Sequence, residues 1–108
     1  MWDVVYHPGA ETEHRSLSVA DRNALDNAVK KLETYGPVLP YPHQSAVRGS
    51  KSLRELRPRG GRSRVRPLYQ RHGDTFVIAA IGPEAQVDAK GFDRAVRLAT
   101  SRLSDVEE

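Results

Sequence analysis

Residues 53–81 read LRELRPRGGRSRVRPLYQRHGDTFVIAAI, and most of the expected sheet lies in this stretch. It contains three candidate strands, at residues 53–57, 62–70 and 75–81, separated by the turn-forming segments 58–61 and 72–74. The last strand is apolar from Phe76 to Ile81, which is typical of a central strand covered on both faces. We therefore expect a three-strand antiparallel meander whose first two strands are rich in arginine.

The residues before this meander predict one strand and at least one helix. Residues 2–7 place alternate apolar side chains on one face, which indicates a half-buried strand that ends at Pro8. Residues 10–16 are polar and fit a short helical turn. A longer helix follows with Ser18 as its N-cap, and Gly36 before Pro37 ends it. Its apolar stripe consists of Leu25, Ala28, Val29 and Leu32.

Two further segments complete the predicted order of elements. Pro37, Pro40 and Pro42 make residues 36–52 a long loop. After the meander, Asp88 is a candidate N-cap for a C-terminal helix. The apolar positions of that helix are Phe92, Ala95, Val96, Ala99, Leu103 and Val106. The expected fold is α+β, with a small antiparallel sheet, formed by the N-terminal strand and the meander, packed against two or three helices.

Length and composition limit the class of protein. With 108 residues the chain is expected to form a single domain, because a second core would have too little surface to bury. The absence of cysteine excludes disulfides, thiolate zinc sites and cysteine nucleophiles. No two histidines are three or four residues apart, so we expect neither a helical metal pair nor a cofactor. Because no long apolar run or secretory signal is visible, we expect a cytoplasmic protein without a membrane partner.

The distribution of charge points to an anionic partner. The net charge is +3, but residues 48–71 hold nine basic side chains and one acid, while the remainder holds eight basic and thirteen acidic residues. Such dense positive charge repels itself unless an anion relieves it. Thirteen of the seventeen basic residues are arginine, whose planar fork suits phosphate oxygens and base edges. Nucleic acid is therefore the preferred partner, a solvated or salt-bridged face is the alternative, and the candidate RNA contacts are Arg48, Lys51, Arg54, Arg59, Arg62, Arg64, Arg71 and His72.

Strand periodicity groups part of this charge on one face of the sheet. Because alternate strand residues share a face, the two arginine-bearing strands should turn one set of side chains away from the helices. That set consists of Glu55, Arg57, Arg62, Arg64, Arg66 and Leu68. Within it, Glu55, Arg57, Arg64 and Arg66 should line one open surface suited to gripping a phosphodiester. Arg66 is then an exposed residue that contributes little to folding, typically within ~0.5 kcal/mol.

These residue types can cut RNA without a metal ion. The 2′-hydroxyl of RNA attacks the adjacent phosphorus, so the protein must accept that proton and neutralise the charge that grows on the phosphate. Arg57 and Arg66 suit the second task as fixed cationic donors, and Glu55 suits the first as a general base. Glu55 is alternatively the ion-pair partner that holds the arginines in place. His72, beside an arginine-bearing strand, is either a proton carrier or a surface residue.

Several segments also carry a family resemblance: Val47–Gly49, Leu53–Arg57, Arg64–Tyr69, the apolar strand and Phe92–Val96, with Tyr35–Pro37 before the loop. Together they resemble the toxins of type II toxin–antitoxin modules in the RelE/HigB superfamily, most closely the phage-derived, HigB-like branch. The stretch Leu53–Tyr69 is the most specific part. The resemblance covers nearly the whole chain and implies one RelE-like toxin domain over residues 1–108.

The resemblance implies an enzyme that cuts mRNA in the ribosomal A site without metal and is silenced by a cognate antitoxin, expected to be a helix-turn-helix protein. By position, Arg66 matches the family's strand arginine, which contacts the scissile phosphate. Glu55 and Arg57 fall where relatives place charged residues on the preceding strand. Several relatives place a catalytic Tyr or His near the start of the last helix, where this chain has Phe92, which cannot carry a proton. Lys90 is the candidate cationic donor in its place.

Two functions of other classes remain open on the sequence alone. One is a non-catalytic module that binds RNA or DNA on the same fold. The other is an interaction protein whose basic face docks an acidic, antitoxin-like partner. A short adjacent gene encoding a helix-turn-helix protein would favour the toxin over both.

Overall fold

Five strands form one mixed sheet at the centre of the molecule. A computed structural model describes residues 1–106. The strands are β1 (Asp3–Tyr6), β2 (Gln44–Ala46), β3 (Arg54–Leu56), β4 (Val65–His72) and β5 (Thr75–Pro83), in the spatial order β1-β5-β4-β3-β2. Neighbours from β5 to β2 are antiparallel, whereas β1 runs parallel to β5. The predicted meander and central strand are confirmed, but the wholly antiparallel sheet and the strandless loop over residues 36–52 are wrong.

Both differences have physical causes. A tight turn forces antiparallel pairing, but no turn joins β1 to β5. Helices α1 and α2 and strands β2 to β4 separate the two in the chain, so the connection permits either direction, and β1 pairs parallel to β5. The extra strand β2 has only three residues, too few to show an alternating pattern in the sequence. It is a strand because it pairs with β3, with Gln44 opposite Leu56 and Ala46 opposite Arg54.

Three helices cover the sheet: α1 (Pro8–Arg15), α2 (Val19–Tyr35) and α3 (Ala89–Val106). The predicted caps are confirmed, since Ser18 Oγ accepts from the backbone N–H of Asp21 at 3.2 Å and Asp88 Oδ1 accepts from that of Gly91 at 2.9 Å. α2 ends at Gly36, as predicted, with φ 58°. The side chain of Val106 lies outside the described part of the chain. Within residues 1–106, no helix combines the length and apolar character that a membrane span requires.

Each face of the sheet buries its own apolar cluster. The face under α1 and α2 contains Ala10, Ala28, Leu32, Leu39, Leu56, Tyr69, Phe76 and Ile78. The face under α3 contains Val47, Leu53, Leu68, Val77, Ala79, Ala80, Ala95, Ala99 and Leu103. β5 contributes to both clusters, as expected for a central strand. Leu68 was predicted on the open face and is instead fully buried, because α3 covers the face that carries the arginines.

β1 pairs with only part of β5, and two charged side chains complete the hydrogen bonding. β1 ends opposite Ile78, so the backbone beyond has no strand on that side. Glu13 Oε1 of α1 accepts from the N–H of Ile81 at 3.0 Å, and Arg102 of α3 donates to the carbonyl of Ala79 at 2.9 Å. Glu13 and Arg102 also pair with each other at 2.9 Å. This ion pair therefore connects α1 and α3, which lie on opposite faces of the sheet, to the central strand β5.

Buried Tyr69 makes the stability of this fold sensitive to alkaline pH. Its side chain is 2% exposed, and burial raises the pKa of its phenol to about 12, with nearby Arg54 acting in the opposite direction. Above pH 10.0, the usual value, the unfolded chain loses the phenolic proton while the folded chain keeps it. The free energy of unfolding should therefore fall as pH rises towards 12, by on the order of 2–3 kcal/mol for a two-unit difference.

Tyr69→Phe removes this ionisable group. Between about pH 9 and about pH 11.5, its free energy of unfolding should fall less than that of the wild type, measured by urea titration at each pH. The wild-type protein is the reference for every other group that titrates in this range. An identical pH dependence of the two proteins would show that Tyr69 is not the source of the alkaline sensitivity.

Candidate nucleic-acid interface

Arg66 lies at the start of β4 and is almost completely buried. The sequence placed it on an open face, and this is wrong, because its side chain is 2% exposed. The guanidinium is enclosed by the turn before β4 and by the segment after β5. Nη1 donates to the carbonyl of Ser63 and, at 3.1 Å, to that of Val65. Nη2 donates to the carbonyl of Gly61 at 3.0 Å and to Glu84 Oε2 at 2.8 Å.

Glu84, the acidic partner of Arg66, was missed by the sequence analysis. Its N–H donates to the carbonyl of Arg64 at 2.9 Å, and its own carbonyl accepts from Asp88 at 3.0 Å, so its backbone is fixed on both sides. A signal for it exists in the strand register. Counting back from the β4–β5 turn places Ile81 opposite Arg66, which already brings residue 84 near the beginning of β4. A register shift between Leu68 and Tyr69, which the count does not show, puts Gly82 opposite Arg66 instead.

Glu55 and Arg57 form the second half of the cluster. Arg57 Nη1 donates to Glu55 Oε1 at 2.8 Å, and the same oxygen lies 3.9 Å from Arg66 Nε. Arg57 Nε donates to the carbonyl of Pro42 at 3.1 Å, and its guanidinium carbon lies 5.6 Å from the centre of the Tyr41 ring. Arg57 is therefore held by a carboxylate, a backbone carbonyl and an aromatic face.

These side chains line a cavity of about 200 Å³, whose lining residues are Glu55, Arg57, Arg66, Glu84, Ala85 and Gln86. Two guanidinium groups face two carboxylates, so the formal charges balance. Burial and the neighbouring Arg57 hold the pKa of Arg66 below its usual value, while Glu55 and Glu84 act in the opposite direction. The side chains of Glu55 and Glu84 remain 13% and 21% exposed, so a molecule in the cavity can reach both carboxylates.

The likeness of this chain to known proteins lies in its fold. No protein-family model and no curated protein matches the sequence. A solved structure of a free E. coli toxin RelE mutant superposes with a TM-score of 0.61 at 18% identity, over 89% of this chain and 95% of RelE. The chain has the RelE fold. This confirms the fold that the motifs between Tyr35 and Val96 implied, while the HigB-like branch stays a prediction.

Two toxin–antitoxin complexes show the same fold. The intact E. coli RelBE complex superposes with a TM-score of 0.62 at 16% identity, over 78% of this chain and 98% of the matched chain. The archaeal RelE–RelB complex from Pyrococcus horikoshii OT3 gives a TM-score of 0.56 at 22% identity, over 76% of this chain and 93% of that chain. At these identities the likeness establishes the fold of the chain, and residue roles must come from its own geometry.

On this RelE fold, strand register divides the basic residues into two groups at opposite ends of the sheet. The group at the β3–β4 connection consists of Arg57, Arg59, Arg62, Arg64 and Arg66. The other group, at the β2–β3 and β4–β5 turns, consists of Arg48, Lys51, Arg54, Arg71 and His72. Six residue steps along β4 separate Arg66 from His72, roughly 20 Å. The basic residues of segment 48–71 therefore form two separate surfaces rather than one.

Arg64 does not join the cluster, although the sequence placed it beside Arg66. β4 begins at Val65, so Arg64 and Arg62 belong to a turn and do not follow the alternation of a strand. Both are exposed and line a separate cavity with Arg59 and Asp21. The predicted convergence of Glu55, Arg57 and Arg66 is correct, and Glu84 takes the place expected for Arg64.

Lys90 and His72 also lie away from the cluster. Lys90 is exposed in the first turn of α3 and does not line the cavity. His72 is half-buried at the far end of β4, and its Nε2 has no hydrogen-bond partner within residues 1–106. Arg71 beside it donates to the carbonyl of Gly73 at 2.7 Å and lies 4.9 Å from the Trp2 ring centre. In the described part of the chain, no three His, Asp or Glu side chains are grouped to hold a metal ion.

Burial of Arg66 changes the expected effect of its removal. Arg66→Ala should lower the free energy of unfolding by about 3–5 kcal/mol, because it leaves Glu84 and Glu55 largely buried without their cation. Arg64 is the matched control, since it is exposed two residues away, and Arg64→Ala should stay within ~0.5 kcal/mol of the wild type. Urea unfolding followed by circular dichroism measures both. Equal stability of the two variants would contradict the structural role of Arg66.

Proposed function

We propose that this chain is the toxin of a type II toxin–antitoxin module and that it cuts ribosome-bound mRNA without a metal ion. The RelE fold supports this, as does the resemblance of Leu53–Tyr69 to that family. The presence of RelB antitoxins with RelE in two of the matched structures supports a cognate antitoxin as partner. The observation that carries the proposal is a carboxylate, Glu55, held between two guanidinium groups at a cavity.

Arg57 is the residue that we assign to the phosphate. Its Nε and Nη1 are engaged by Pro42 and Glu55, and within residues 1–106 its Nη2 donates to no protein acceptor. Nη2 lies against Gly61, and Arg57 lines the cavity, so we assign this unused donor to a phosphate oxygen there. Because the other contacts already fix the guanidinium, little reorganisation is needed when negative charge grows on the phosphate.

Glu55 is the residue that we assign to the proton of the attacking 2′-hydroxyl. Arg57 and Arg66 both approach its Oε1, which leaves Oε2 as the proton acceptor. The deprotonated 2′-oxygen attacks phosphorus, the bond from phosphorus to the 5′-oxygen breaks, and a 2′,3′-cyclic phosphate forms. The 5′-oxygen takes its proton from water, since the cavity lining contains no Tyr, His or Lys.

Arg66 acts in this scheme by positioning the carboxylates. Direct contact of Arg66 with the scissile phosphate, the role that the resemblance implies, requires a phosphate oxygen to replace Glu84 at Nη2. Without that exchange, Arg66 supplies charge near Glu55 and fixes the cavity wall. Lys90 has no assigned step, since it lies outside the cavity lining.

A non-catalytic RNA-binding protein on the same fold is the second candidate. The observation that favours it is that both carboxylates of the cluster already pair with arginine. A carboxylate held in this way stabilises its partner cations. In this alternative, the cluster only supports the structure beneath an RNA-binding surface.

Glu55→Gln separates the two candidates. The amide keeps the size of the side chain and an acceptor for Arg57, but it cannot take a proton. If Glu55 is the base, cleavage should fall by about 10²- to 10⁴-fold, while RNA affinity is kept or rises because a negative charge has left a basic surface. Primer extension on mRNA in a translation extract measures cleavage, and filter binding measures affinity.

Glu11→Gln is the charge-matched control, since Glu11 is exposed on α1 and outside the cavity. It should change neither quantity. A parallel loss of affinity and cleavage in Glu55→Gln would identify Glu55 as a tether for the arginines. Near-normal cleavage by Glu55→Gln would exclude the base role.

A further inference from the structure

We propose that the groove between α2 and the turn Pro58–Gly61 binds the phosphodiester backbone of single-stranded RNA. The groove has a volume of about 280 Å³ and adjoins the cavity at Glu55. This inference rests on the proposed action on RNA and extends the bound strand beyond the position at which it is cut. It also assigns Lys31, on α2, which lies outside the arginine-rich segment.

The charged lining of the groove is entirely cationic. Lys31, Arg57, Arg59 and Arg62 line it together with His43, and no Asp or Glu is among the lining residues. Within residues 1–106, Lys31, Arg59 and Arg62 form no ion pair with a carboxylate. The cavity at Glu55 balances its arginines with acids, and of the four cations of the groove only Arg57 has an acidic partner within residues 1–106. Mutual repulsion of this kind is relieved when an anion binds.

The backbone at Arg59 provides a second, independent observation. Arg59 has φ 57° and ψ 33°, and it is the one non-glycine residue with positive φ in the part of the chain that the structure describes. A long side chain in the left-handed region is uncommon, and such strain is concentrated at sites where function requires it. Gly60, with φ 63°, would tolerate this geometry without cost at the adjacent position. The sequence nevertheless places an arginine at the groove.

The groove is continuous with the cavity because Arg57 lines both. A strand whose scissile phosphate lies at Glu55 therefore meets Arg57 and then the three unpaired cations. Asn23 and Asn27 lie one helical turn apart on α2 and also line the groove. Their amides both donate and accept hydrogen bonds, which suits the edges of unpaired bases.

The lining favours RNA over an acidic protein segment. The apolar residues of the groove are Ala24, Ala28 and Leu39, all of them buried. Protein segments gain most of their affinity from large side chains that fill deep apolar pockets. Two alanines and one leucine offer little of such a pocket, whereas the four cations of the lining suit a chain of phosphates.

Two neighbouring lysines on α2 provide a matched pair of variants. Lys31 lines the groove, and Lys30, exposed beside it, does not. Affinity for a short 2′-O-methyl oligouridylate, which cannot be cleaved, is measured by fluorescence anisotropy over a range of salt concentrations. Loss of one phosphate contact should weaken the binding of Lys31→Ala about fivefold at 0.1 M salt and reduce the log–log salt slope by about 0.7. Lys30→Ala should match the wild type in both quantities.

Arg59→Gly gives a second test, because it should lower RNA affinity without lowering stability. Glycine accepts the positive φ of this position, so the melting temperature should stay the same or rise. RNA affinity should nevertheless fall as it does for Lys31→Ala. If Arg59 served only the fold of the turn, melting temperature and affinity would fall together, which contradicts the proposal.

The same proteins are titrated with polyglutamate to represent an acidic protein segment. If Lys31→Ala and Arg59→Gly bind RNA as tightly as the wild type does, the groove assignment is wrong, whether or not these variants lose polyglutamate binding. That result would leave the proposed function intact. Failure of the wild type to bind RNA, or binding with a salt slope near zero, overturns both proposals.

Discussion

The buried ion pair between Arg66 and Glu84 connects three segments at one end of the sheet: the turn before β4, the start of β4 and the segment that follows β5. A charge is stable in such a place only when its hydrogen bonds are completed, and backbone carbonyls complete those of Arg66. Glu55, 3.9 Å away, is positioned by the same guanidinium. The candidate site therefore exists because the fold buries an arginine there.

Charge is used in two different ways at this end of the RelE fold. Around Arg66 the cations and acids balance, which gives fixed geometry and carboxylates within reach of a ligand. In the groove beside α2, Lys31, Arg59 and Arg62 have no acidic partner within residues 1–106, which favours the binding of a polyanion. Arg57 belongs to both surfaces. In the proposed function, the cluster around Arg66 positions one phosphate, and the adjacent groove attracts the rest of a longer RNA strand.

Local rules predicted a large part of the fold and some of the site. The cap at Ser18, the stop at Gly36 and the central strand β5 each depend on a few neighbouring residues, and each is confirmed. Alternation also placed Glu55, Arg57 and Arg66 together. The rest depends on tertiary structure: Arg64 belongs to a turn, α3 covers the arginine-bearing face, and Glu84 reaches Arg66 only through the register of β4 and β5.

Mapping of mRNA 5′ ends after addition of the purified chain to a translation extract measures the proposed activity directly. New ends should appear within the translated reading frame, at positions that correspond to the ribosomal A site. They should be absent when the same mRNA is incubated with the chain without ribosomes. An unchanged set of ends in actively translating extract, with a folded chain that binds RNA, would contradict ribosome-dependent cleavage and favour the non-catalytic candidate.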